Sequence, residues 1–244
     1  MGRRVSFLAV IPAFNEAANL PRVATELRQC WPDVPIVVVD DGSDDGSSQV
    51  LADLESRCDI AWLRLPQHLG IGGAMRAGLR FAHLQGHRTV VRIDGDGQHQ
   101  PSQIARVLAP IMDGTADAVQ GSRYTASNRP PSGLAFRATR GLLGRVLSRL
   151  TARTVTDPTS GFWAFGARAV SLLAEHHPSG YPEPELLLFL HRNRLRVVEV
   201  PVEMRCRFSG RTSLTGARAS VAVARLLLTT VVAPLRPRVK GSVP

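Results

Sequence analysis

Two apolar runs in this chain, Ile36-Val37-Val38-Val39 and Val90-Val91-Arg92-Ile93, lead directly into closely spaced aspartates, Asp40-Asp41-Gly42-Ser43 and Asp94-Gly95-Asp96-Gly97-Gln98-His99. Short β-branched runs bounded by turn residues read as buried strands of a parallel sheet. Two strands with acidic carboxyl ends can share one crevice, because open α/β sheets bind ligands outside the carboxyl ends of their strands. Asp94 and Asp96 are one residue apart on an irregular turn, so both can reach one hard divalent cation and leave positions for phosphate oxygens and water. Carboxylates that close repel unless a cation or partner compensates them, which favours a ligand site over plain turn formation. For Ser43, Asp44 and Asp45 the reading is turn making and helix capping.

The rest of the first half has the alternation that a parallel sheet requires. Strand-like runs at Val5–Ile11, Ile36–Val39, Ala61–Leu65, Thr89–Ile93 and Ala118–Gly121 are separated by helical stretches near Ala17–Gln29, Asp45–Arg57, Gly72–Leu84 and Ser102–Met112. This order predicts an α/β fold, a mostly parallel central sheet flanked by helices. After Tyr124 the rhythm breaks in a Pro-, Ser- and Asn-rich loop, Ala126–Gly133, which divides a core over 1–125 from an acceptor-side region of the same domain over 126–212. That region is expected to hold helices at Leu134–Thr151, Ala167–His176 and Pro184–Arg192, a turn at Asp157–Gly161, and a strand at Arg196–Val202. A last helix, Ser213–Val232, and a basic tail, Arg236, Arg238 and Lys240, form a third segment over 213–244.

Charge is unevenly spread. Residues 1–122 carry 11 basic and 14 acidic side chains, net −3, whereas residues 123–244 carry 19 and 6, net +13, which together give the chain's +10. A basic half beside an acidic-tipped half suits an anionic substrate or an anionic membrane surface. Aromatic residues at 5% are too sparse for a single-strand nucleic-acid groove, so no nucleic-acid partner is expected. Cys30, Cys58 and Cys206 are too few and too far apart for a disulfide framework or a zinc pattern, which favours a reducing cytoplasm. No secretory signal is expected, because Val5–Pro12 is too short for one. The apolar run Ala219–Leu235 falls short of the roughly 20 residues of a bilayer crossing and is interrupted by Arg225. The last helix reads equally as a packing helix or as an interfacial helix lying on a membrane.

Three weaker signals are read conservatively. His68-Leu69-Gly70-Ile71-Gly72-Gly73 lacks the strand context of a dinucleotide fingerprint, although glycines opening a helix can turn backbone N–H groups toward a phosphate. Trp31, Trp62 and Trp163 read as core residues. Arg145 and Arg149, four apart, read as a solvated helix face.

Five motifs occur in an order that carries a resemblance: Val10-Ile11-Pro12-Ala13-Phe14-Asn15-Glu16, Val39-Asp40-Asp41-Gly42-Ser43, Asp94 to His99, Gly121-Ser122-Arg123-Tyr124, and Asp157-Pro158-Thr159-Ser160-Gly161-Phe162. The chain resembles family-2 glycosyltransferases of the GT-A fold, with the best match to bacterial enzymes that transfer sugars to polyprenyl phosphates. The resemblance covers about residues 5–215. It implies an inverting, metal-dependent transfer from a nucleoside-diphosphate sugar, UDP-linked ahead of GDP-linked, to a polyprenyl monophosphate at the inner face of the cell membrane. A small membrane protein is the alternative partner to the lipid surface itself.

By the same resemblance Pro12, Phe14, Glu16, Val39, Asp41, Ile93, Asp94 and Gly95 would hold the donor. Asp96 and Gln98, with Asp94 beside them, would hold Mg²⁺ or Mn²⁺. Asp96, Arg123, Arg137 and Arg207 would form the catalytic set around the phosphates. Thr212-Ser213-Leu214 replaces the Ser-Lys-Leu common in such proteins, and Arg211 stands in for the missing lysine. A phosphate monoester is mostly dianionic near neutral pH, its second pKa being about 6, so it needs positive groups such as Arg140 and Arg211 more than a base. A hydroxyl acceptor would need a base, for which Glu183 and Glu185 are the candidates, although Pro182 and Pro184 around them also fit an ordinary helix start.

Overall fold

The computed structural model describes residues 6–124, 134–178 and 182–208. The loop Ala126–Gly133, Arg211, the expected helix Ser213–Val232 and the basic tail lie outside the described residues. Seven strands form one sheet: β1 Leu8–Ala13, β2 Ile36–Asp40, β3 Ala61–Arg64, β4 Val90–Arg92, β5 Ala118–Ser122, β6 Trp163–Phe165 and β7 Val197–Pro201, in the spatial order β3-β2-β1-β4-β6-β5-β7. β1, β2, β3 and β4 are parallel, as are β5 and β7. Among the described strands only β6 runs antiparallel, wedged between β4 and β5.

Strand β6 was not foreseen, and its three residues explain why. Trp163, Ala164 and Phe165 are fully buried on both faces, so they show no alternation, and three residues are too few for a periodic signal. β6 and β7 come from the acceptor-side half of the chain and pair with β4 and β5, so one sheet runs through both halves.

Among the described residues seven helices cover the sheet. They are α1 Leu20–Cys30, α2 Ser47–Cys58, α3 Gly70–Leu84, α4 Ile104–Met112, α5 Leu134–Thr151, α6 Ala167–His176 and α7 Pro182–Arg192, with a 3₁₀ turn at Pro101–Gln103 before α4. Successive strand side chains alternate between two cores, as the pleat dictates. Ala9, Ile11, Ile36, Val38 and Val119 pack with Leu27 of α1, Leu51 of α2 and Val107 of α4. Leu8, Val10, Val37, Val39 and Val90 pack on the other face with Met75 and Leu79 of α3, Leu147 of α5, Leu173 of α6 and Leu186 of α7. Trp163 is fully buried, whereas Trp31 and Trp62 are half-buried at the edge of the core.

Helix α3 lies close against β1 because its inward face carries Gly72, Ala74 and Gly78. A Cβ on Gly78 would sit 2.4 Å from Val10 Cγ1 and 3.3 Å from Val39 Cγ2. This close approach brings the first turn of α3 beside the carboxyl ends of β1 and β2. Gly78→Ala sets two effects against each other. Helix propensity favours alanine by about 1 kcal/mol, while overpacking a stiff central strand costs about 1–3 kcal/mol. The clash wins, and we expect a lower urea midpoint with an unchanged slope; a raised midpoint would show that α3 can shift freely.

Candidate active site

The carboxyl ends of β1, β2 and β4 open into a cleft of about 460 Å³ lined by Pro12, Phe14, Glu16, Asp41, His68, Ile71, Arg92, Asp94, Gly95, Asp96 and Arg207, among others. Of the residues expected at the donor site, Pro12, Phe14, Glu16, Asp41, Asp94 and Gly95 meet here. The side chains of Val39 and Ile93 are instead buried in the two cores.

On one wall Asp41 is nearly buried and spends its carboxylate on the segment that leads into α3. Its Oδ1 accepts a hydrogen bond from the Leu69 N–H at 2.8 Å, and its Oδ2 lies 2.8 Å from His68 Nδ1. His68 in turn stacks on Phe14 with ring centroids 3.9 Å apart. Both rings are substantially exposed, so together they offer a flat face. Gly42, at φ +74°, makes this possible: a Cβ there would meet the Gln67 backbone at 2.8 Å. Ser43, Asp44 and Asp45 serve as turn and cap groups, with Ser43 N–H donating to Asp40 and the Ser47 N–H donating to Asp45.

The opposite wall contains the residue that sequence reasoning missed. Arg92, on β4, is buried, and its guanidinium bridges two carboxylates: Nε donates to Asp94 Oδ1 at 2.9 Å and Nη1 to Glu183 Oε1 at 3.0 Å. An arginine within an apolar strand run was the available signal, since a buried charge must be paired. Gly161, from the Asp157–Gly161 turn, lets this pair form. A Cβ there would lie 2.6 Å from Arg92 Nη2 and 2.8 Å from Asp94 Oδ2.

The two aspartates consequently differ. Burial pushes the Asp94 carboxyl up, but the positive charge and hydrogen bond of Arg92, aided by His99, bring it below its ordinary value. Asp96 has a weaker partner, Arg207 at 3.9 Å. Burial first, and then the charge of Asp94, push it up to about 6, and the Gln98 N–H and Arg207 offset this only in part. A buried carboxylate facing a cleft with incomplete compensation fits a divalent cation, which would supply the missing charge. Among the described residues no group of three or more His, Cys, Asp or Glu side chains surrounds such an ion. The donor set therefore fits a hard ion that takes one or two carboxylates and completes its shell with phosphate and water. Gln98 donates its backbone N–H to Asp96 Oδ1 at 3.0 Å, and its side chain is not among the cleft-lining groups.

Arg207 reaches the cleft because the chain beyond β7 runs alongside the Asp94–His99 loop. The Arg205 N–H donates to Gln98 O at 3.2 Å and the Phe208 N–H to Asp96 O at 3.2 Å, with a bridge between His99 and Met204. Phe208 packs over Gly97, which at φ +79° has no room for a side chain. Arg207 then contacts Glu16 and lies 3.9 Å from Asp96 Oδ2.

The remaining candidates lie elsewhere. Arg123 is held by Asp157 through Nε at 2.7 Å and Nη2 at 2.8 Å. Arg140, on α5, stacks over the Tyr124 ring at 3.7 Å and donates to Thr156 O at 2.8 Å. Arg137 is exposed on the same helix. Glu185 is buried in the first turn of α7.

Two stability predictions follow from these charges. Arg92→Leu removes the cation shared by two partly buried carboxylates, Asp94 and Glu183, and breaking a fully buried pair costs about 3–5 kcal/mol. A large drop in melting temperature is expected, and an unchanged melt would show that the bridge carries no energy. The second prediction concerns acid. His99 accepts a hydrogen bond from the Asp94 N–H at Nδ1, and burial holds both His99 and His177 down at about 4. Their folded values lie below the ordinary 6.5, so the unfolded chain binds more protons, and stability is lost as pH falls from about 6.5 to about 4. Asp96, and Glu199 whose carboxyl burial also raises, act in the opposite sense, but the lowered His87 and His191 and the lowered carboxyls of Asp94 and Asp117 act with the two histidines and outweigh them. Metal-free protein should melt lower at pH 4.5 than at pH 7, and His177→Asn should narrow the difference; an equal melting temperature at both pH values would contradict it.

The architecture has known relatives. Residues 8–171 match the model of Glycosyl transferase family 2. The chain is 32% identical to an undecaprenyl-phosphate mannosyltransferase from Micrococcus luteus, over 88% of this chain and 90% of that protein. It is 30% identical to a UDP-N-acetylglucosamine–dolichyl-phosphate N-acetylglucosaminyltransferase from Methanococcus voltae, over 80% and 83%. Among solved structures, glucosyl-3-phosphoglycerate synthase from Mycobacterium tuberculosis, in complex with Mn²⁺, UDP-glucose and phosphoglyceric acid, superposes with a TM-score of 0.68 at 22% identity, covering 93% of this chain and 80% of that one. The fold is the GT-A fold. A match over most of the sheet, together with relatives similar along nearly their whole length, makes this chain a member of glycosyl transferase family 2.

Proposed function

We propose that the protein transfers a sugar from a nucleoside-diphosphate donor, UDP-linked ahead of GDP-linked, to a polyprenyl monophosphate, with inversion at the anomeric carbon and with Mg²⁺ or Mn²⁺ bound at Asp96. The observation that carries the metal-dependent part is the under-compensated Asp96 carboxylate at the cleft, 3.9 Å from Arg207 and beside the ionised Asp94. The acceptor class is supported by the two relatives named above. One is a mannosyltransferase and the other an N-acetylglucosaminyltransferase, yet both names specify a polyprenyl-type phosphate. What such proteins share is then the acceptor rather than the sugar.

Each side chain has a task in this reading. Phe14, backed by His68, offers its ring face to the nucleobase. The metal, held by Asp96 with Asp94 nearby, supplies Lewis-acid stabilisation of the departing diphosphate. Arg207, steered by Glu16, adds a positive charge at the same end of the cleft. Arg123, fixed by Asp157, and Arg140, fixed over Tyr124, give the acceptor side the cations that a phosphate dianion requires. Glu183 is committed to Arg92, so it is poorly placed to remove a proton. A phosphate acceptor needs no such base, and this supports the phosphate over a hydroxyl.

Asp96→Ala should lower transfer to polyprenyl phosphate by on the order of a thousandfold, the rate equivalent of several kcal/mol of charge stabilisation. Its metal-free melting temperature should be no lower than that of the parent, because a strained carboxylate has been removed. Product formation is followed by mass spectrometry, with undecaprenyl phosphate and undecaprenol offered side by side. Full activity in EDTA, or equal transfer to the alcohol, would overturn the proposal.

A further inference from the structure

The acceptor-side arginines hang from two consecutive residues, and those two are held by a carboxylate that the proposed reaction does not use. Arg123 binds Asp157 through Nε and Nη2, and its backbone N–H donates to the same carboxylate at 3.1 Å. Arg140 donates to the carbonyl of Thr156, one residue earlier. Both backbone N–H groups of this Thr156–Asp157 pair point at Glu199, on β7 at the edge of the sheet. The Thr156 N–H lies 3.0 Å from each Glu199 oxygen and the Asp157 N–H 3.3 Å from Oε1, while the Thr156 hydroxyl donates to Oε2 at 2.6 Å. One side chain thus accepts from three donors on two residues.

The far end of the same turn is fixed separately. Gln120, opposite Glu199 in the β5–β7 register, donates Nε2 to Ser160 O at 2.8 Å, and the Ser160 hydroxyl donates to Gly121 O. Strand β5 therefore holds the end of the Asp157–Gly161 turn, and Glu199 holds its start. Glu199 is half-buried and does not line the donor cleft. Each of its oxygens already accepts two hydrogen bonds, which fills the lone pairs of an ionised carboxylate and leaves none to take a proton from a substrate. Such a group orders its donors rather than reacts.

We propose that Glu199 is a positioning residue for the acceptor phosphate: by fixing the Thr156–Asp157 backbone it places Arg123 and Arg140, while the Arg92 bridge organises the donor side on its own. The grip on the turn stands on the hydrogen bonds alone, and its use to the enzyme rests on the polyprenyl-phosphate reading. A guanidinium meets a phosphate through paired N–H groups, so its plane has to be set before the phosphate arrives. Asp157 can hold Arg123 only as firmly as its own backbone is held. Glutamine at position 199 would keep the shape but turn one oxygen into an NH₂ group, which cannot accept from the donors that face it.

The test compares Glu199→Gln with wild type as the full chain. Transfer to detergent-solubilised undecaprenyl phosphate is measured with whichever UDP- or GDP-sugar supports it, Mn²⁺–UDP affinity by calorimetry, and backbone hydrogen exchange by mass spectrometry of peptides spanning residues 153–160. The variant should raise the KM for undecaprenyl phosphate about tenfold, the effect of losing one hydrogen bond to a charged group. Its donor KM and Mn²⁺–UDP affinity should stay at the wild-type values, and exchange at Thr156 and Asp157 should quicken. In Asp157→Asn, where Arg123 is already released, adding Glu199→Gln should have a smaller effect than it has in wild type. Thr156→Val deletes the hydroxyl donor from the other side of the contact and should give the same split in smaller measure, which keeps the test open if Glu199→Gln does not fold. Equal losses for donor and acceptor, additive losses in the double variant, or unchanged exchange at Thr156 and Asp157 would each overturn the proposal. Absence of transfer to undecaprenyl phosphate by wild type sinks the acceptor reading alone, and the exchange rates then decide by themselves whether Glu199 grips the turn.

Discussion

A single buried guanidinium fixes the geometry of this site. Arg92 sits in the central strand β4 and joins Asp94, at the end of that strand, to Glu183, at the start of α7. Burying this guanidinium is costly, and the cost is offset only while its two partly buried carboxylate partners remain in place. The bridge therefore ties the donor-side loop to a helix from the far half of the chain. It also separates the roles of two aspartates that look equivalent in sequence, since Asp94 is held ionised by the protein and Asp96 is left short of positive charge.

The remaining supports follow from close packing around this bridge. Gly161 passes so near Arg92 and Asp94 that no side chain fits, and Gly97 makes room for Phe208. The run from Met204 to Phe208 follows the Asp94–His99 loop through backbone hydrogen bonds, and this is how Arg207 arrives beside Glu16 and Asp96. On the other wall Asp41 pins His68 and Leu69, and so the entrance to α3. Separate parts of the chain thus converge, Asp41 on His68 and Leu69 and the Met204–Phe208 run on the Asp94–His99 loop through hydrogen bonds, and the Gly161 turn through close packing.

Much of the fold was legible because long elements leave periodic traces. The parallel strands β1, β2 and β4, and the helices α3, α5 and α6, fall where apolar runs and turn residues place them. The three-residue strand β6 left no such trace. The aspartates of the cleft were legible as strand-end pairs, and the five ordered motifs identified the family. Arg92 left only a local hint, an arginine inside an apolar strand run, and its partner Glu183 lies 91 residues away, where no local pattern points to it. The same limit applies to Arg123, whose partner Asp157 makes it part of a fixed scaffold on the acceptor side, and to Val39 and Ile93, whose position beside the motifs concealed that their side chains face the cores.

On the proposed function, the Asp96 carboxylate, left under-compensated beside the Arg92 bridge, is where a divalent cation and a nucleoside diphosphate meet. Electron paramagnetic resonance of Mn²⁺ titrated into the protein, with and without UDP, measures this directly. One bound Mn²⁺ per chain is expected, with an affinity that rises when UDP is present, and that signal should be lost in Asp96→Asn. Undiminished Mn²⁺ binding by Asp96→Asn would contradict it.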